Sequence, residues 1–82
     1  MNKDITPRNK EGKPHGLWEN YYNNGQLMYK GNYINGNKDG LWEWYDSNGK
    51  LCLKGNYTNG EHGGLWESYH YNGQLKAKEY FI

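Results

Sequence analysis

Cysteine, proline, valine and long apolar runs are all scarce or missing in this chain of 82 residues. Cys52 stands alone, which excludes an internal disulfide and a cysteine-based metal site. His15, His62 and His70 fall on separate segments without ligand-like spacing, so no metal and no cofactor is expected. No stretch is long and apolar enough to span a bilayer, and the opening residues lack an apolar signal core, so a cytoplasmic location is the expectation. The formal net charge is +1, which gives no electrostatic footprint for nucleic acid. Aliphatic residues are few, and burial must come from nine tyrosines, four tryptophans and one phenylalanine. Flat, half-polar rings suit a thin sheet better than a globular interior. Twelve glycines argue against helices, because glycine costs about 1 kcal/mol in a helix interior.

The chain repeats itself with a step of 24 residues. Gly16-Leu17-Trp18-Glu19 recurs as Gly40-Leu41-Trp42-Glu43 and as Gly64-Leu65-Trp66-Glu67. Tyr21, Tyr45 and Tyr69 keep the same step, as do Gly25, Gly49 and Gly73, and Lys30, Lys54 and Lys78. The expected organisation is one domain over 1–82, with units at 16–39, 40–63 and 64–82 and a partial unit at 1–15. Pro7 and Pro14 limit strand pairing in that partial unit, while residues 11–15 align with the turn between units. At the other end Glu79-Tyr80-Phe81 replaces Gly-Asn-Tyr, as expected of a terminal unit with a solvated outer side.

Asn-Gly occurs twice in each of the first two units and once in the third. Asn24-Gly25, Asn48-Gly49 and Asn72-Gly73 separate runs of alternating character and predict tight two-residue hairpin turns. Asn35-Gly36 and Asn59-Gly60 predict looser return loops, completed by residues 37–40 and 61–64. The chain is therefore predicted to be all-β, a single-layer twisted antiparallel meander of hairpins, with strands near 17–22, 26–33, 41–46, 50–57, 65–70 and 74–81. Two-residue turns set Glu19 opposite Lys30, Trp18 opposite Gly31 and Tyr22 opposite Leu27. The second hairpin likewise pairs Glu43 with Lys54 and Trp42 with Gly55, and the third pairs Glu67 with Lys78. Opposite charges face each other and a ring covers a cross-strand glycine, so a one-residue slip destroys every pair.

Alternation then predicts two faces. One carries Trp18, Trp42 and Trp66 with Tyr22, Tyr29, Tyr33, Trp44, Tyr57, Leu27, Leu51, Leu53, Leu75 and Phe81. The other carries Leu17, Leu41, Leu65, Tyr21, Tyr45 and Tyr69 among the Glu–Lys pairs. The second is amphipathic and suits water; the first is a broad aromatic surface.

The pattern Gly-Leu-Trp-Glu-x-Tyr-x-x-Asn-Gly-x-Leu-x-x-Lys-Gly-Asn-Tyr-x-Asn-Gly resembles the bacterial variant of the MORN repeat, the form found in YwqK-type antitoxins. The resemblance covers residues 11–82 as a three-repeat short form. It implies a single-layer sheet with one hairpin per unit and a role as an antitoxin or interaction scaffold. It brings no catalytic residues.

No nucleophile, phosphate loop or metal set accompanies the acid–base candidates Asp46 and His70, so no enzymatic activity is expected. Trp18, Trp42 and Trp66, with Gly31 and Gly55, define the repeat and are assigned structural roles. Positions that break the repeat are better candidates for binding a partner. Trp44 stands where the other units have Asn20 and Ser68. Tyr22, Asp46 and His70 share one varied position, and Tyr29, Leu53 and Ala77 another. Tyr22, Tyr29, Trp44, Asp46 and His70 are thus the candidate partner-binding set, since interfaces favour Trp and Tyr at their centres. The expected partner is a protein, a toxin or another effector that the chain inhibits or scaffolds. Stacking of nucleotides or single-stranded nucleic acid on the rings is the alternative, as is peripheral membrane contact, though no basic groove or polybasic run supports either. Open edges and uncovered rings also predict a homodimer.

Overall fold

Six strands follow one another and pair in chain order, which makes one open antiparallel meander without a helix among the described residues. In this computed structural model residues 4–81 are described. Residues 1–3 and 82, the outermost positions of the partial unit and of the third unit, lie outside the described residues. The strands are β1 (Gly16–Tyr21), β2 (Leu27–Ile34), β3 (Asn37–Tyr45), β4 (Leu51–Thr58), β5 (Glu61–Tyr69) and β6 (Leu75–Phe81). The layer measures 41 × 38 × 10 Å, one sheet thick.

The two kinds of Asn-Gly turn have the opposite geometry to that expected. At Asn35-Gly36 both residues have positive φ (48° and 92°), and Ile34 pairs directly with Asn37. These are the two-residue turns whose twist matches that of the strands. Asn59-Gly60 repeats them, with φ of 52° and 86°. Because the return turns are so tight, residues 37–40 and 61–64 are not loops but the first half of β3 and β5.

At Asn24-Gly25 only the glycine has positive φ. The Gly25 N–H donates to the Tyr22 carbonyl at 2.9 Å, and the Tyr22 N–H donates to the Gln26 carbonyl at 2.8 Å. That is a three-residue loop closed by a glycine bulge. The second and third hairpins repeat it at Asp46–Lys50 and His70–Gln74. Asn24 Oδ1 accepts the Gln26 N–H at 2.9 Å, so the asparagine side chain caps the loop. The extra residue shifts the pairing by one. Leu27 pairs with Tyr21 rather than Tyr22, and Leu51 and Leu75 pair likewise with Tyr45 and Tyr69. Opposed residues share a face, so these three leucines belong with the tyrosines and not with the tryptophans.

Above the bulge the expected register stands. Glu19 pairs with Lys30, Trp18 with Gly31, Glu43 with Lys54, Trp42 with Gly55 and Glu67 with Lys78. The glutamate–lysine row is continuous across the sheet, because Lys30 also pairs with Glu43 and Lys54 with Glu67. The ion pairs close between units, Lys30–Glu43 at 3.9 Å and Lys54–Glu67 at 3.7 Å.

The core arises where units join. On β2 Gly31 alone faces Gly40, Leu41 and Trp42 of β3, since pairing steps from Asn32–Asp39 to Lys30–Glu43. This bulge drops the indole of Trp42 onto Gly31, where a Cβ would overlap the ring. Trp66 sits on Gly55 in the same way. The ring over each glycine therefore comes from the following unit, not from the register partner in the same hairpin. Trp42 Nε1 donates to the Asn32 carbonyl and Trp66 Nε1 to the Asn56 carbonyl, each at 3.0 Å. Trp42 is 0% exposed and Trp66 7%, in a protein with one layer. A buried aromatic of this size contributes roughly 4–6 kcal/mol of apolar transfer before entropy is counted.

The partial unit is more structured than its prolines suggest. Ile5 and Glu19 exchange both backbone hydrogen bonds at 2.8 Å, and Arg8 bridges Pro14. Trp18 Nε1 donates to the Pro7 carbonyl at 2.8 Å, standing in for the bonds of Trp42 and Trp66. Pro14 accepts from Gly36 as Lys38 accepts from Gly60, so Pro14 takes the place of Lys38. The turn before it differs from the inter-unit turns, however: the Asn9 N–H donates to the Lys13 carbonyl and the Gly12 N–H to that of Asn9, as in the bulged loops. The segment covers the outer edge of β1.

Candidate functional site

The tryptophan face is a bed of rings packed on one another. Tyr29 and Trp44 are paired residues of β2 and β3, and each ring rests against Trp42, at 5.9 and 6.1 Å between centroids. Trp44 also lies 5.6 Å from Trp66 and 6.5 Å from Tyr57. Two of the five candidate binding residues thus meet on this bed, half-buried by their neighbours.

The other three stand at the hairpin ends, each as the first residue of a bulged loop. The Tyr22 hydroxyl donates to the Tyr45 carbonyl at 2.7 Å, which ties the first loop to the second unit. Asp46 Oδ1 accepts from the N–H groups of Asn48 and Lys50, both at 2.9 Å. His70 is exposed and contributes its backbone to the third loop. Tyr22 and Asp46 therefore already have local hydrogen-bonding work.

Two residues that alternation alone passed over complete the bed. Lys38 places Nζ 5.0 Å from the centroids of both Trp42 and Tyr57. His62, 24 residues on, lies 4.6 Å from Trp66 and 5.1 Å from both Tyr57 and Phe81. Their equivalence in the repeat was the available signal. A cation over an aromatic face is stabilised by the ring quadrupole.

The opposite face is the more exposed one. Leu17, Leu41 and Leu65 are 49%, 51% and 40% exposed, and Ile34 and Tyr80 are also open to solvent. Pairing of Leu17 with Asn32, Leu41 with Asn56 and Leu65 with Tyr80 puts them at one level across the sheet. Next to that row runs the glutamate–lysine row, and beyond it the Tyr–Leu pairs. Among the described residues no group of three His, Cys, Asp or Glu side chains is placed to hold a metal ion.

Burial raises the pKa of Tyr29, Tyr45 and Tyr57 above the ordinary value of 10.0, with Glu43 adding to the effect at Tyr45. Tyr21 is raised chiefly by its hydrogen bond to Glu19 at 2.7 Å. In each case the fold favours the neutral phenol. The resulting stability is fully present below the unfolded value of about 10 and is lost as pH rises through the folded values. Thermal melts are expected to keep a level Tm up to that pH and to fall above it. Tyrosinate absorbance should appear at higher pH in the folded than in the unfolded protein.

Three segments of the chain, residues 14–35, 38–59 and 63–82, match the family model of the MORN repeat variant. No curated protein and no solved structure matches the chain.

Proposed function

Because this chain belongs to the MORN repeat variant family, and MORN repeats are generally protein- or membrane-binding modules, we propose that it is a non-enzymatic binding module for a larger protein. In the bacterial setting that the YwqK-type resemblance suggests, it acts as an antitoxin-like inhibitor or a scaffold in the cytoplasm, where the free thiol of Cys52 is at home.

One observation carries this reading: a level row of half-exposed aliphatic side chains, Leu17, Leu41 and Leu65, on a flat face of 41 × 38 Å. Half-exposed leucines at one level, one on every second strand with Asn32 and Asn56 between them, mark an interaction surface on a one-layer protein. The face exceeds the roughly 800 Å² that a standard interface takes from one partner. The rings opposite bury one another and hold neighbouring strands together behind the row. Tyr29 and Trp44 remain the ring-face candidates for a second contact, and their half-burial makes that contact the smaller one.

The test is affinity capture from native lysate with the tagged chain, its Leu41→Lys variant and a Glu11→Lys control, quantified by mass spectrometry. Leu41 is half-exposed, so a β-type circular dichroism spectrum should survive in all three. The reading expects one protein enriched near stoichiometry by the wild type and the control, and reduced about tenfold or more by Leu41→Lys, as for loss of a central contact. An inhibitor further requires that the captured protein arrest growth when expressed alone and be neutralised by this chain. No enriched protein, or equal capture by Leu41→Lys, contradicts the reading. Flotation of the purified chain with lipid vesicles would favour a membrane instead.

A further inference from the structure

Each tryptophan seat on the ring bed is built by one unit and filled by the next. Trp66 fills the seat over Gly55, beside Trp44 at 5.6 Å and Tyr57 at 5.2 Å. One unit on, over β4 to β6, the corresponding seat is a hollow of about 140 Å³ whose lining includes Leu53, Trp66, Ser68, Ala77, Glu79 and Phe81, together with the register pair of Glu67 and Lys78. Three seat residues have changed. Ser68 stands at the position of Trp44, Ala77 at that of Leu53 and Glu79 at that of Gly55. The first two shorten the walls. The third puts a carboxylate where bare backbone received the flat of an indole, so a tryptophan cannot lie there as it lies on Gly31.

The Glu79 carboxylate makes no hydrogen bond or ion pair among the described residues. Strand β6 is exposed from Leu75 to Tyr80 and has no neighbouring strand on its outer side among the described residues. An edge of that kind offers a row of backbone donors and acceptors to an added strand. We propose that the outer edge of β6 is a strand-addition site for an extended partner segment carrying an arginine or lysine, whose side chain enters this hollow. The methylenes pack on Ala77 and the indole of Trp66, and the cationic head meets Glu79. The proposal rests on the protein-binding reading and specifies the chemistry of the partner segment.

The molecule's own contacts support the choice of a cation. Lys38 sits over Trp42 and Tyr57, and Arg8 over Trp18 at 5.3 Å. A second copy of this chain fits poorly. Two-fold antiparallel pairing of β6 with itself sets Lys78 against Lys78, Glu79 against Glu79 or Lys76 against Lys78, depending on register, and like charges directly opposed are destabilising.

The experiment titrates the full chain with two end-blocked peptides, Thr-Thr-Val-Thr-Arg-Thr-Val-Thr-Thr and the same peptide with Glu at the centre. Tryptophan fluorescence and amide shifts along β6 report binding. The arginine peptide is expected to saturate and to bind about tenfold tighter than the glutamate peptide, and to lose about tenfold in Glu79→Gln. Ser68→Trp, which restores the residue of the second unit, should fill the hollow and abolish binding while keeping the fold. Equal binding of both peptides, indifference to Glu79→Gln, or no binding at all overturns the proposal. Native capture that is lost in Leu41→Lys but intact in Ser68→Trp also sinks it, and leaves the protein-binding reading standing.

Discussion

Gly31→Ala is expected to lower the unfolding free energy by about 3 kcal/mol, the upper end for overpacking, and Gly55→Ala to do the same. The added methyl carbon would fall within the indole of Trp42 or Trp66. Neither ring can retreat, because its Nε1 is held by the carbonyl of Asn32 or Asn56 and its other side meets further rings. A domain this small has about 5 kcal/mol or less to lose. Gly63→Ala supplies the contrast. Its nearest neighbour to a Cβ is the Thr58 hydroxyl at 3.7 Å, so stability should stay level or rise by up to about 1 kcal/mol. Urea titration of the three variants measures all of this. A Gly31→Ala midpoint equal to that of Gly63→Ala would remove the seat from the account.

Trp42→Ala should cost about 3–5 kcal/mol, the range for a buried aromatic truncated to alanine. Trp42 is the one fully buried large side chain among the described residues, with Tyr29, Tyr33, Trp44 and Tyr57 around it. Trp18→Ala should cost less, since that ring is only half-buried and packs on Tyr33 with Arg8 above it. Trp44→Ala falls between, for it touches both buried indoles from a half-exposed position. Thermal melts rank the three. An order that places Trp18 first would contradict the burial seen in the fold.

Much of this architecture is legible in the residues. The 24-residue step, the Glu–Lys register and the pairing of Trp18 with Gly31 all follow from period-two alternation, because one register alone satisfies every pair. Two matters escape that logic. Asn-Gly is compatible with both a two-residue turn and a bulged three-residue loop, and the dipeptide does not say which. In the fold each longer loop carries a side-chain cap, Asn24 on the Gln26 N–H, Asp46 on those of Asn48 and Lys50, and Asn72 on that of Gln74. The extra residue moves Leu27, Leu51 and Leu75 to face Tyr21, Tyr45 and Tyr69. The second is the bulge opposite Gly31. A flat register puts Trp18 over that glycine, whereas three residues of β3 set against one of β2 swing in Trp42 instead. The positive φ of Gly40 (79°) permits that swing, and the glycine before Leu-Trp is its trace in the sequence.

The candidate site was less legible. Tyr29 and Trp44 do meet, because paired positions on neighbouring strands share a face. Tyr22, Asp46 and His70 share a repeat position, but the loops take up the first two for their own hydrogen bonds. Alternation alone suits the leucine row to water, because charges interleave with it. In the fold those charges form their own row, pair with one another, and leave the aliphatic residues uncovered beside them.

A double-mutant cycle at Gly31 tests most directly whether each unit is pinned by the indole of the one that follows. Stabilities of Gly31→Ala, Trp42→Ala and Trp18→Ala, and of the two double variants that contain Gly31→Ala, would be measured in a stabilising osmolyte so that all remain folded. The account predicts a coupling of about 2 kcal/mol or more between Gly31 and Trp42, since alanine is harmless once the ring is gone, and about 0.5 kcal/mol or less between Gly31 and Trp18. The reverse, strong coupling to Trp18 and none to Trp42, would contradict it.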